Sequence, residues 1–172
     1  SRPPPSAVIN DPAVLRAQLE AQYAQWGAGQ YDTWLEGQPE TIKVVSSYNG
    51  TKLKLKGKAG ARQYFATLTA DLDIRSYKPL AIFVDNDGDE ATVVVEASGA
   101  SRRTQRPFST VFLHSYTVGA NGQILKFKEQ TDTALLAQLV PPSAAEEAAQ
   151  DVVPVLPGSE VPLAPGSAAR QL

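Results

Sequence analysis

The sequence predicts a single α+β domain, and three observations predict it. Segments with helical spacing gather in the first half, segments with strand spacing fill the second, and turn residues separate them. A chain of 172 residues, 42% of them apolar, has the material for one packed core. Residues 1–10, SRPPPSAVIN, read as a proline-rich flexible arm, residues 11–140 as the domain, and residues 141–172 as a proline-rich tail.

The first helix opens at Asn10-Asp11-Pro12, a capping residue followed by a proline whose fixed φ suits the first helical position. Leu15, Leu19, Gln22, Tyr23 and Trp26 follow at helical spacing until Gly27-Ala28-Gly29 stops the run. A short second helix holds Tyr31, Trp34 and Leu35. Thr41 to Leu55 reads as a hairpin around Asn49-Gly50, a strong turn pair between β-rich flanks. Gly57-Lys58-Ala59-Gly60 opens a third helix with the stripe Ala61, Tyr64, Phe65, Leu68 and Leu72. Strands are expected over about 78–84, 90–98, 108–118 and 123–131, followed by a short helix over 133–139 capped by Asp132. Six prolines between 141 and 165 leave the tail unable to form its own core. Its valines and leucines, such as Val152, Val155 and Leu163, suit extended docking on the domain or on a second copy.

Composition narrows the chemistry. With no cysteine, disulfides, thiol catalysis and cysteine-held zinc are excluded, and a single histidine excludes multi-histidine metal sites. Phosphate loops, dinucleotide fingerprints and nucleophile elbows are not found, so neither a cofactor nor a metal is expected. The net charge of −2 gives no reason to expect nucleic acid. No apolar run approaches the roughly 20 residues that cross a bilayer, so no membrane is expected, and without a visible signal segment the cytoplasm is favoured. Lys52, Lys54 and Lys56 alternate with Leu53 and Leu55 as a solvated edge strand, with an anionic ligand as the alternative. Arg102, Arg103 and Arg106 mark a hairpin tip.

The segments AQYAQWGAGQYDTWL (21–35), GKAGARQYFATL (57–68), PFSTVFLHSYTV (107–118) and NGQILKFKEQTDTALL (121–136) carry a resemblance in their order and spacing. Over about residues 12–140 the chain resembles the SnoaL-like branch of the nuclear-transport-factor-2-like superfamily. The resemblance implies a curved antiparallel sheet wrapped round three helices, a cone or cystatin-like α+β barrel with a pocket inside. Ketosteroid isomerases, polyketide cyclases, dehydratases and epoxide hydrolases share this fold, and other members only bind or dimerise. Fold alone does not choose among them.

His114 is the sharpest candidate. Phe112, His114 and Tyr116 share one strand face, and an imidazole there can donate a hydrogen bond or move a proton near neutral pH. The alternative is a structural histidine bonded to a neighbour. The resemblance sets Tyr23, or Gln22, near an oxyanion-binding tyrosine of the isomerases, with packing as the other role. The general base of those isomerases is a carboxylate in the strand before the Asn49-Gly50 turn. Here that stretch is Val45-Ser46-Ser47-Tyr48, which disfavours steroid isomerisation and leaves Ser46 and Ser47 as ligand-orienting hydroxyls. Asp132 is an N-cap or, by resemblance to the epoxide hydrolases, a water-activating carboxylate. If Leu125 and Phe127 mark the core face, Glu129 shares it as a second carboxylate. Trp26, Phe112 and Tyr116 complete the expected lining.

Two functions follow. One is a cofactor-independent acid/base enzyme of isomerase, cyclase, dehydratase or hydrolase type, acting on a small hydrophobic or polyketide-like molecule. The other is a non-catalytic ligand-binding or dimerisation module. A homodimer is expected, because Val111 and Leu113 lie on the strand face opposite His114 and need cover of their own.

Overall fold

The computed structural model describes residues 10–48 and 50–141. The expectations for the arm, for Asn49 in the hairpin turn and for the tail from 142 onward lie outside these residues. Helix α1, Pro12–Gly27, begins as expected: Asp11 accepts a bond from the Ala13 N–H, and Pro12 stands first. Leu15, Leu19, Gln22, Tyr23 and Trp26 make its buried stripe. Helix α2, Tyr31–Glu36, buries Tyr31, Trp34 and Leu35. Strands β1, Lys43–Ser46, and β2, Leu53–Lys56, form the antiparallel hairpin, in which Ser46 pairs with Leu53. Its connection is longer than two residues; Gly50 closes a turn onto the Ser47 carbonyl with φ +85°.

Helix α3, Gly57–Asp71, packs Ala61, Tyr64, Phe65 and Leu68 inward. Leu72 is buried but leaves the helix, as the first residue of β3, Leu72–Val84. This strand starts six residues earlier than the spacing suggests. Register shifts between Ile74 and Ser76 and between Pro79 and Ala81 break the alternation that would have revealed it. Pro79 is tolerated because β3 is an edge strand. Strands β4, Glu90–Ser101, and β5, Pro107–Val118, continue the meander. At the β3–β4 turn Gly88 has φ +67°, and a Cβ there would meet Asn10, whose side chain donates to the Gly88 and Gly119 carbonyls. Strand β6, Ile124–Gln130, and helix α4, Thr133–Leu139, complete the domain.

The sheet order is β2-β1-β6-β5-β4-β3. All neighbours are antiparallel except β1 and β6, which run parallel. The expected antiparallel sheet is therefore mixed. A helix and four strands separate β1 from β6, so no hairpin fixes their relative direction. Nor does the sheet close into a barrel, because β2 and β3 each have one neighbour. Among the described residues there are four α-helices, the fourth being the short α4. Tyr64, Phe65, Leu68, Phe112 and Phe127 all sit in the core, as expected. No helix among the described residues is long and apolar enough to cross a membrane.

Candidate functional site

Strand alternation sends Phe112, His114 and Tyr116 to the interior. His114 has no exposed surface, and both ring nitrogens are bonded. Nδ1 lies 2.7 Å from the Tyr23 hydroxyl and Nε2 lies 2.8 Å from Glu129 Oε2. Cross-strand register produces the second contact: Glu129 of β6 stands directly beside His114 on one side and beside Ser46 of β1 on the other. Ser46 Oγ donates to Glu129 Oε1 at 3.4 Å while accepting from the Tyr48 N–H at 3.1 Å.

The chain of bonds continues away from the carboxylate. The hydroxyls of Tyr23 and Tyr116 are 2.5 Å apart, Gln22 Nε2 donates to the Tyr116 hydroxyl at 2.9 Å, and Trp34 Nε1 donates to Gln22 Oε1 at 2.9 Å. Donor inventory fixes its direction. An indole N–H can only donate, so it holds the Gln22 oxygen, and the Gln22 NH₂ must face Tyr116. The Tyr116 proton then goes to Tyr23, the Tyr23 proton to Nδ1, and the Nε2 proton to the Glu129 carboxylate. A doubly protonated His114 would reverse both tyrosines and aim the Tyr116 proton at an NH₂ group. In this direction Nδ1 accepts from Tyr23 and the Nε2 N–H donates to Glu129.

Burial, and next the neighbouring Tyr116, holds the Tyr23 phenol well above its ordinary pKa. Burial likewise raises Tyr116, although its bonds to Tyr23 and Gln22 pull the other way. The Tyr64 phenol is raised by burial first and by the Glu129 charge second. These phenols stay protonated through the neutral range and serve as donors.

Aromatic rings enclose the chain. The His114 ring lies 4.8 Å from Phe127, 5.8 Å from Phe112 and 6.0 Å from Trp26. Trp26 Nε1 is a buried donor without an acceptor among the described residues. On the other side of Trp26, Tyr31 and Phe65 stack at 4.6 Å and form the floor of a half-open cleft of about 480 Å³, bounded by α2, α3 and the start of β3.

The structure thus brings together Tyr23, His114, Tyr116 and Glu129, with Trp26 and Phe112 against them. Ser47 is half-buried and bonds to the Glu129 backbone carbonyl rather than to its carboxylate. Asp132 is exposed and caps α4 by accepting from the Leu135 N–H at 3.0 Å, outside the buried chain. Leu125 does not mark the core face. It is the extra residue between the pairs Thr117–Lys126 and Val118–Ile124, and Ile124 takes the buried position. Sequence reasoning did not connect Trp34 to this site, and it read Ser46 as a ligand-orienting hydroxyl rather than as a partner of Glu129. Trp34 carries a helix-stripe signal, whereas Ser46 needed the parallel β1–β6 register.

A family model for the SnoaL-like domain matches residues 19–127. Among solved structures, a protein named as an isomerase from Bacillus subtilis superposes with a TM-score of 0.68 at 14% identity, covering 78% of this chain and 98% of that one. A protein named as a SnoaL-like polyketide cyclase from Jannaschia sp. CCS1 gives 0.63 at 17% identity, covering 83% and 99%. The epoxide hydrolase/cyclase-like enzyme SalBIII, of pyran ring formation in the polyether salinomycin, gives 0.61 at 16% identity, covering 72% and 95%. These likenesses show the shared fold. A search of curated proteins gives no match.

Proposed function

The chain belongs to the SnoaL-like family, and from that premise we propose that it is an acid/base catalyst working with its own side chains on a small hydrophobic or polyketide-like molecule. The observation that carries this reading is the one-directional chain from Trp34 to Glu129, with His114 at its charged end. Burying a carboxylate is costly unless it is paired and bonded. Here the pairing sets an imidazole between a carboxylate and a phenol, the order of groups that proton transfer uses. The missing carboxylate of the β1 strand is supplied to the same layer by its neighbour, since Glu129 stands cross-strand from Ser46. In this reading the substrate reaches the Tyr23 hydroxyl, through which His114 Nδ1 exchanges a proton with it, while Glu129 orients the ring and balances its charge.

Access runs through the cleft beside α2 and α3, by displacement of the Tyr31–Phe65 pair. A buried N–H without an acceptor costs about 1–3 kcal/mol, so a substrate oxygen reaching Trp26 Nε1 recovers that free energy. The substrate accordingly carries at least one acceptor oxygen.

The complete closure of His114 favours a second reading, a binding module in which the same chain only holds the core together. Native mass spectrometry on protein from its own source identifies the ligand, and turnover of that ligand separates the two. The catalytic reading expects His114→Ala to lower the rate roughly 10²–10⁴-fold. A bound ligand that is never converted, or a rate unchanged in the variant, supports the binding module. Because the chain has one histidine, its imidazole resonances report ligand contact at this position without assignment of any other ring.

A further inference from the structure

The cleft between α2, α3 and β3 combines apolar walls with a charged lip. Tyr31, Phe65, Ala66, Leu72 and Ile74 line it, and the charged residues among them are Arg62, Arg102, Asp32 and Asp73. Asp73 is shared by two guanidinium groups. Its Oδ2 accepts from both Nε and Nη2 of Arg75, at 2.9 and 2.8 Å. Its Oδ1 lies 3.7 Å from Arg102 Nη2, beyond hydrogen-bond reach. Arg62 stands 3.9 Å from Asp32, and both side chains are more than half exposed, where an ion pair contributes little. The adjacent pair of Arg103 and Asp71 is balanced. Arg62, Arg75 and Arg102 therefore meet only Asp32 and Asp73, which leaves one positive charge in surplus.

That surplus falls on a side chain that is held in place. The Arg102 backbone N–H donates to the Asp71 carbonyl, and its Nε donates to the Thr69 carbonyl at 2.7 Å. The terminal nitrogens of Arg102 have no hydrogen-bond partner among the described residues. A guanidinium fixed through Nε presents those two nitrogens as a preorganised edge, which matches the two oxygens of a carboxylate.

We propose that this cleft takes a small carboxylate with an apolar body, its acid group on Arg102 and its body against Tyr31 and Phe65. One surplus charge suits a monoanion. The proposal rests on the reading of the cleft as the substrate's entrance and adds what selects the substrate there. Arg102 determines specificity and stands outside the buried proton-transfer chain. Asp73 competes for the same guanidinium, but Arg75 already engages it.

Titration of the full chain at neutral pH with 4-phenylbutyrate and with 4-phenylbutan-1-ol tests this, since the two share a body and differ in charge. Tryptophan fluorescence reports on binding, because Trp26 and Trp34 lie 5.2 and 6.0 Å from the Phe65 ring. The acid should bind about tenfold tighter than the alcohol, as expected for a charged hydrogen bond at a half-exposed site. Arg102→Gln should abolish that preference and leave the alcohol unaffected, whereas Asp73→Asn, which removes the competitor, should tighten the acid. Circular dichroism confirms that each variant is folded; should Arg102→Gln not fold, Asp73→Asn decides, because its effect has the opposite sign. Absence of acid binding, equal affinity for acid and alcohol, a preference that survives Arg102→Gln, or an acid weakened by Asp73→Asn each overturns the proposal. The entrance reading fails separately. If the acid binds through Arg102 but the His114 imidazole resonances do not move, the carboxylate site stands and the entrance falls. If acid and alcohol bind alike and both move those resonances, the entrance stands and the carboxylate falls.

Discussion

Strand β5 carries two chemistries on alternate residues. Its inward face places His114 and Tyr116 among rings with 0% and 2% exposure, whereas its outward face leaves Val111 47% exposed. Polar groups are inside and an apolar one outside, the reverse of a half-buried strand. On the inward face the inversion is stabilised bond by bond, because every polar atom from Trp34 to Glu129 has a partner. On the outward face nothing within the described residues compensates it. The difference teaches that the inner inversion is completed within one chain, while the outer face leaves Val111 open among the described residues.

The largest test of the inner face is alkaline. Tyr23, Tyr64, Tyr77 and Tyr116 are all held up, by burial first in each case. Their folded values exceed the unfolded value near 10, so the stabilisation is full below about pH 10 and falls as pH rises toward the folded values. The slope is about 1.4 kcal/mol per pH unit for each tyrosine. The full slope is reached only above about pH 11, so four together remove about 4 kcal/mol between pH 10 and 11, a large part of the total stability of a domain. Urea titrations at steps between pH 8 and 11 should show a plateau and then a steep loss; a flat profile to pH 11 would mean that these phenols reach solvent.

Removing Glu129 is the next largest. Glu129→Ala leaves His114 Nε2 and Ser46 Oγ without their acceptor in the core. Breaking a buried charged contact from one side costs about 3–5 kcal/mol. Tyr116→Phe breaks the same chain at a neutral joint and strands the Gln22 donor, for about 1–3 kcal/mol. Both are read by urea denaturation, and equal costs would argue that the chain is not anchored at its charged end.

Local signals explain how much of this was legible beforehand. Asp11, Pro12 and Asp132 are visible in sequence because a cap acts within three residues, and both caps form as expected. Period-two alternation put His114 and Tyr116 on one face. Glu129 was legible for a partly wrong reason: Phe127 does mark the core face, but the bulge moves Leu125 off it. The parallel pairing of β1 with β6 was not legible, since it joins residues about 83 apart with no turn between them. That pairing sets Ser46 beside the carboxylate, and reading β1 alone made the site look short of an acid. The long β3 was hidden by its own register shifts.

The smallest expected effect lies one residue from the largest concentration of chemistry. Ser115 sits between Thr92 and Lys128 on the outward face, half-buried, next in sequence to His114. Ser115→Ala removes a hydroxyl with no hydrogen-bond partner among the described residues, and a surface change of this kind stays within about 0.5 kcal/mol. His114→Ala, by contrast, frees the Tyr23 proton and the Glu129 carboxylate at once and should cost several times more, about 3–5 kcal/mol. Urea curves for the two variants, taken at low and high protein concentration, keep the faces distinct. At low concentration the outward change should be close to silent and the inward one severe. A large cost at Ser115 that persists at low concentration would mean that the chain covers its own outer face, and the contrast between the two faces of β5 would then be lost.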